Sequence, residues 1–164
     1  MVAAYNIEAF TDTSESFAAI SLLFILYGYC VIPFTYIMSD LYDNVGSAQV
    51  AAFFLNFLLG SIGPLVIFIL RIIESTRSVA ESIAWIFRLI PAYAFGEGIL
   101  NIAARTVFST FSESKELLTA FEIDVAGGDL LFLFLFGTIY FIAIFIIEKL
   151  SHIHFASFKK TIKY

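Results

Sequence analysis

The sequence predicts an all-α membrane protein of three transmembrane helices and a re-entrant helical hairpin. Three observations carry this expectation. The chain has 164 residues, 60% hydrophobic and only 14% charged, where a soluble domain is nearer half apolar and about a quarter charged. Three charge-free runs, 17–38, 48–70 and 130–147, are each long enough to cross a bilayer, since roughly 30 Å of hydrocarbon takes about 20 helical residues. Between the second and third lies an apolar stretch interrupted by charge, proline and glycine, too short of uninterrupted apolar sequence to cross.

The first run is bounded by Glu15 and Asp40. Its Pro33 predicts a bend, tolerable where neighbouring helices absorb the freed carbonyl. No basic stretch precedes the run, so it reads as a span and not a signal peptide. The short acidic lead after Met1 reads as the start of a piece of something longer. Residues 39–47, rich in Asp, Asn, Gly and Ser, form a polar turn. The second run holds Gly60, Gly63 and Pro64, which predict a kinked or locally broken helix. Residues 71–82 are polar.

The stretch 79–105 is the predicted hairpin. Arg88 and Glu97 break its apolar character, and only 89–96 is free of charge. Pro91 cannot donate within a helix and disfavours helix at the residue before it, so the chain should turn there. Gly96 and Gly98 weaken the following arm. Unpaired charge in hydrocarbon is costly, so Arg88 and Glu97 should reach water, headgroups or each other. Residues 101–129 read as amphipathic or irregular. After the third run the aromatic, basic tail reads as a helix continuing into the interfacial layer. The division is thus a partial transmembrane domain over 1–150 and a cytoplasmic tail over 151–164.

Orientation is contested. Lys149, Lys159, Lys160 and Lys163 place the tail in the cytoplasm by the positive-inside rule. Three spans then put loop 39–47 inside as well, and Arg71 and Arg77 outside. A fourth crossing through 83–100 would obey the rule better but would carry Arg88 and Glu97 at about 2.5–3.5 kcal/mol for each central charge. Three spans are preferred.

Several chemistries are excluded or weakly supported. The net charge of −5 argues against nucleic-acid binding, which wants a basic patch. Cys30 is the single cysteine, so no internal disulfide or thiolate cluster can form; it reads as an apolar filler. There is no phosphate loop, no catalytic triad spacing and no metal-ligand motif, so an enzyme is not expected. His152 and His154 would share a face only on a strand, and read as interfacial. No catalytic, cofactor-binding or metal residue is assigned.

The candidate functional positions are polar or small residues within the spans. Gln49, Ala52, Asn56, Gly60 and Gly63, with Ser61 beside them, mark a face of the second span. Such a face either borders a transport path or packs on another helix, since small residues let backbones approach and Asn hydrogen-bonds across helices. Ser21, Gly28 and Thr35 recur every seven residues in the first span, more simply as packing. In the hairpin, Arg88, Pro91, Gly96, Glu97 and Gly98 stand out. Glu97 is an intramembrane carboxylate, hence a site candidate, or a partner of Arg88.

Three stretches, in order, resemble the membrane domain of the A subfamily of ABC transporters, the lipid exporters. They are Leu26-Tyr27-Gly28 with Pro33 and Tyr36, then Asn56-Phe57-Leu58 with Gly60, and Pro91-Ala92-Tyr93-Ala94-Phe95-Gly96-Glu97-Gly98-Ile99-Leu100. The resemblance implies a partial type II ABC-exporter transmembrane domain. The three runs would be the last three of six helices and 79–105 an exofacial hairpin. The tail would lead to a nucleotide-binding domain, with ATP and Mg confined there. The implied partners are the bilayer, the remaining helices and that ATPase domain. The implied function is ATP-driven movement of lipids by helix rearrangement. The competing reading is a stand-alone polytopic membrane protein serving as a structural subunit; a pore is disfavoured because only the second span has a polar stripe.

Overall fold

The structure, a computed structural model, describes the backbone of residues 14–111 and 119–161, with side chains for 14–105 and 119–149. All regular structure among the described residues is helical. Helix α1 spans Ser14–Asp40, α2 Val45–Phe57, α3 Gly63–Ile72, α4 Arg77–Phe87, α5 Pro91–Phe111 and α6 Gly128–Thr161. Two π-helical turns, Leu58–Ile62 and Ile123–Gly127, join α2 to α3 and lead into α6. Three helical segments are long and apolar enough to cross a membrane: Ser14–Asp40, Val45–Ile72 and Ile123–Lys149.

These segments contain the three charge-free runs, because backbone groups in hydrocarbon must be satisfied within the segment. Pro33 does not interrupt α1. Asn44 caps α2, its side chain accepting from the Gly46 amide at 2.9 Å, which ends the polar turn; the turn covers 41–44, shorter than the expected 39–47. Helix continues through the tail to Thr161, so the backbone at His152 and His154 is helical; their side chains lie outside the described residues.

The predicted break in the second span is a π turn rather than a gap. Pro64 has no N–H to give the carbonyl of Gly60, four residues earlier. The chain answers with the wider turn Leu58–Ile62 and restarts as α3, with Pro64 in its first turn, where a missing donor costs nothing. π bulges of this kind commonly mark functional positions.

The stretch 83–103 is not one straight helix. It breaks at Arg88–Ile90, and Pro91 opens α5. The second arm runs past the predicted end at 105 and reaches Phe111, through the first part of the amphipathic or irregular stretch 101–129. The arms pack mainly on their neighbours. α4 lies on α3, with Ala80, Ala84, Ile67 and Tyr93 buried together. α5 is held between α1, the Leu58–Ile62 turn and α6.

α1 and α6 form the longest interface. Gly137 makes it possible: a Cβ there would stand 2.7 Å from the Tyr29 ring and 3.3 Å from the Cys30 Cα. Tyr29 and Thr138 hydroxyls meet at 3.1 Å across it. Cys30 is buried in this seam as the expected small filler. The main core joins Ala19, Ile20 and Leu23 of α1 to Ala94 and Ile102 of α5 and Leu130 and Leu133 of α6. Gly28, by contrast, has open space around it, so it is not a close-packing position within this chain.

Candidate functional site

Two features meet around α5: a buried cluster of charge and an open groove. The cluster draws one residue from each surrounding element. Arg71 ends α3, Arg88 follows α4, Glu97 sits in the second turn of α5 and Asp129 in the first turn of α6. Arg71 Nη2 donates to Glu97 Oε1 at 2.6 Å. Arg88 Nε donates to Glu97 Oε2 at 2.8 Å and lies 3.0 Å from Asp129 Oδ1. Glu97 and Asp129 are each 1% exposed and Arg88 is 8% exposed.

Two arginines and two carboxylates leave the group formally neutral, which is the condition for burying charge at all. The Arg88 guanidinium is also 5.5 Å from the Trp85 ring centroid and 5.8 Å from that of Phe132, within cation–π range. The pairing is uneven. Both oxygens of Glu97 accept hydrogen bonds, whereas neither Asp129 oxygen has a well-aligned donor. Asp129 is held by proximity to Arg88 and not by a made bond.

Sequence reasoning singled out Arg88 and Glu97 and allowed for their pairing, which the structure shows. It missed Arg71 and Asp129. The available signal was position: Arg71 closes the second charge-free run and Asp129 precedes the third. Charges at the ends of spans are common, so nothing local distinguished these two.

The glycines set how closely α5 approaches. A Cβ on Gly96 would run into the carbonyl oxygen of Gly60 and would meet the Pro64 ring at 3.0 Å. The carbonyl that Pro64 leaves without its helical donor is thus the atom Gly96 closes upon. Gly60 in turn has Ala92 Cβ 3.0 Å from where its own Cβ would be, and Gly63 has the Tyr93 ring at 3.2 Å. Gly98 faces Leu23: a Cβ there would stand 2.9 Å from a Leu23 methyl. Pro91 lies buried at the turn.

Beside this contact is an open groove of about 430 Å³ between α1, the kinked second span and α5. Tyr27, Asn56, Gly60, Ser61, Phe95 and Ala103 are among its walls. Asn56 Nδ2 donates back to the Ala52 carbonyl at 2.8 Å, while its Oδ1 has no partner. Gln49 is exposed near the start of α2 and is not part of the groove. Gly63 faces Tyr93 instead. The predicted stripe is therefore divided: Asn56, Gly60 and Ser61 share the groove, Gly63 serves the α5 contact, and Gln49 joins neither.

Among the described residues no group of three or more His, Cys, Asp or Glu side chains is placed to hold a metal. Apolar helices of spanning length, a kinked span beside a groove and a formally neutral internal charge cluster define a multi-pass membrane domain. The chain belongs to the ABC-2 family transporter proteins, whose family model matches residues 1–146.

Its similarity runs to the A subfamily. It is 28% identical over 148 residues to the bovine (Bos taurus) retinal-specific phospholipid-transporting ATPase ABCA4, covering 86% of this chain and 6% of that protein. It is 31% identical over 127 residues to mouse (Mus musculus) ATP-binding cassette sub-family A member 17, covering 76% of this chain and 7% of the relative. The mouse glucosylceramide transporter ABCA12 matches at 21% over 159 residues, 91% of this chain and 6% of ABCA12. The chain thus spans less than a tenth of the relatives' length.

Proposed function

We propose that this chain is part of the membrane path of an ATP-driven transporter that moves lipids. The family match over residues 1–146 carries the transporter part. The lipid part is supported by the names of two relatives, one a phospholipid-transporting ATPase and one a glucosylceramide transporter. Energy would come from a nucleotide-binding domain elsewhere in the assembly, with ATP and Mg bound there. The chain's own contribution is mechanical: helices that rearrange around a path.

The hairpin reading gains support from depth. The start of α5 meets Gly60 through Ala92, and Gly60 is twelve residues from Ile72, the end of α3. Twelve residues at 1.5 Å each is about 18 Å, more than half of a roughly 30 Å hydrocarbon layer. From the other side, the Tyr140 hydroxyl of α6 donates to the Leu89 carbonyl at 2.6 Å. Residues 77–111 on this reading enter from the non-cytoplasmic side, turn deep in the bilayer and return. Asn56, Gly60 and Ser61, on the groove beside that turn, would border the path.

The test is ATP-dependent translocation of fluorescent phospholipid and of fluorescent glucosylceramide by the complete polypeptide in proteoliposomes. Movement of either, abolished without ATP, is the expected result; movement of neither overturns the lipid reading. Asn56→Leu should lower transport several-fold while the protein still expresses, because it removes the groove's unpartnered acceptor.

A further inference from the structure

One N–H placed between two carboxylates makes Arg88 unusual within the cluster. Its Nε stands between Glu97 Oε2 at 2.8 Å and Asp129 Oδ1 at 3.0 Å. A single N–H makes one well-aligned hydrogen bond, and here Glu97 has it; Asp129 is left with none. Glu97 has a second donor in Arg71 at 2.6 Å. Asp129, 1% exposed, has Arg88 as its ion-pair partner at 3.0 Å. A slight turn of the Arg88 side chain would move the bond from Glu97 to Asp129, and Arg71 would still hold Glu97.

We propose that Arg88 is a two-position latch between the hairpin and the third span, bonded to Glu97 in this state and to Asp129 in the other. The inference rests on reading the chain as part of a transporter, since only a cycling protein needs two positions. Each position keeps the four charges balanced, so the exchange never strands a buried charge. The two carboxylates belong to different elements, α5 and α6, so moving the bond trades grip within the hairpin for grip on the third span. Packed elements with two discrete arrangements are how small local shifts become larger ones. Trp85 and Phe132, on α4 and α6, pack edge to face with ring centroids 5.2 Å apart, and the guanidinium lies beside both, so they would report the exchange.

Asp129→Asn and Glu97→Gln keep shape and remove one acceptor charge each. The complete polypeptide would carry spin labels at Val79 on α4 and Leu135 on α6, both exposed in this chain, and distances would be measured with and without ATP. The wild type should show two distance populations whose ratio changes several-fold with nucleotide. Asp129→Asn should collapse them to the population found without the exchange, and Glu97→Gln to the other. A single population in every nucleotide state of the wild type overturns the latch, as do two variants whose distributions match the wild type. Should Asp129→Asn fail to fold, Glu97→Gln alone still decides between one population and two. Lipid translocation by the wild type is scored separately, so a transporter with an unchanging hairpin is told apart from a chain that transports no lipid.

Discussion

At the scale of single residues, glycine is decided by what lies opposite it. Gly96 faces the Gly60 carbonyl, which is backbone and cannot rotate away, whereas Gly28 faces open space. Gly96→Ala should therefore cost about 1–3 kcal/mol through forced separation of α5 from the second span. Gly28→Ala should be neutral or stabilise by up to about 1 kcal/mol, the helix-propensity gain. Thermal unfolding of the complete polypeptide in detergent checks both, and equal effects would contradict the contact. The charge cluster follows the same logic. Arg88→Met leaves Asp129 buried without its ion-pair partner and should destabilise by about 3–5 kcal/mol. Adding Asp129→Leu to it should recover part of that loss, with Arg71 still holding Glu97. A double variant less stable than the single would show that the pair is not coupled.

At the scale of elements, proline does most of the shaping. Pro64 creates the π turn that frees the Gly60 carbonyl, and Pro91 opens α5 after the break at Arg88–Ile90. Pro33 lies within α1 and breaks nothing. The difference is context: Pro64 and Pro91 sit where another backbone closes against the break, at Gly96 and Gly60. The proposed re-entrant reading of residues 77–111 makes a labelling prediction. Cysteines at Glu81 and Asp124 should react with a membrane-impermeant thiol reagent from the same, non-cytoplasmic side. A cysteine at Ala92 should react from neither. Labelling of Ala92 from the cytoplasmic side would mean that this segment crosses, and free labelling from outside would mean that it never enters.

At the scale of the whole molecule, the exposed faces are as informative as the core. Phe53, Phe54, Phe57, Ile69, Phe134 and Phe145 are all exposed in this chain, and only 11% of the second span's most apolar window is buried. Such faces are stable against lipid or other helices and not against water. On the proposed reading, three spans with a hairpin that returns to its own side would put residues 39–47 and the tail after Lys149 on one side. Tags inserted at Asp43 and after Tyr164 should both be cytoplasmic, and a tag at Ser75 should be on the other side. Opposite sides for the first two would require a fourth crossing.

The sequence determined where the chain meets the bilayer. Span positions were legible because insertion sums the transfer energies of about 20 neighbouring residues, a local property that needs no partner. The turn before Pro91 and the disturbance at Gly60–Pro64 were legible for a similar reason: a missing N–H acts on the same helix, four residues back. Family kinship was legible in Leu26-Tyr27-Gly28, Asn56 and the Pro91–Leu100 stretch, and the family match agrees. What only the tertiary structure decided is who meets whom. Arg88 reaches past its own turn to Glu97, and past all of α5 to Asp129, while Arg71 arrives from the end of the second span. The split of Gln49, Asn56, Gly60 and Gly63 between exposed, groove and contact positions was equally hidden. The π turn adds a residue to the helical count and rotates everything after it, so even spacing along the sequence does not keep those residues on one face. Burial and charge balance are properties of the packed whole, and the same residues in sequence order carry no record of them.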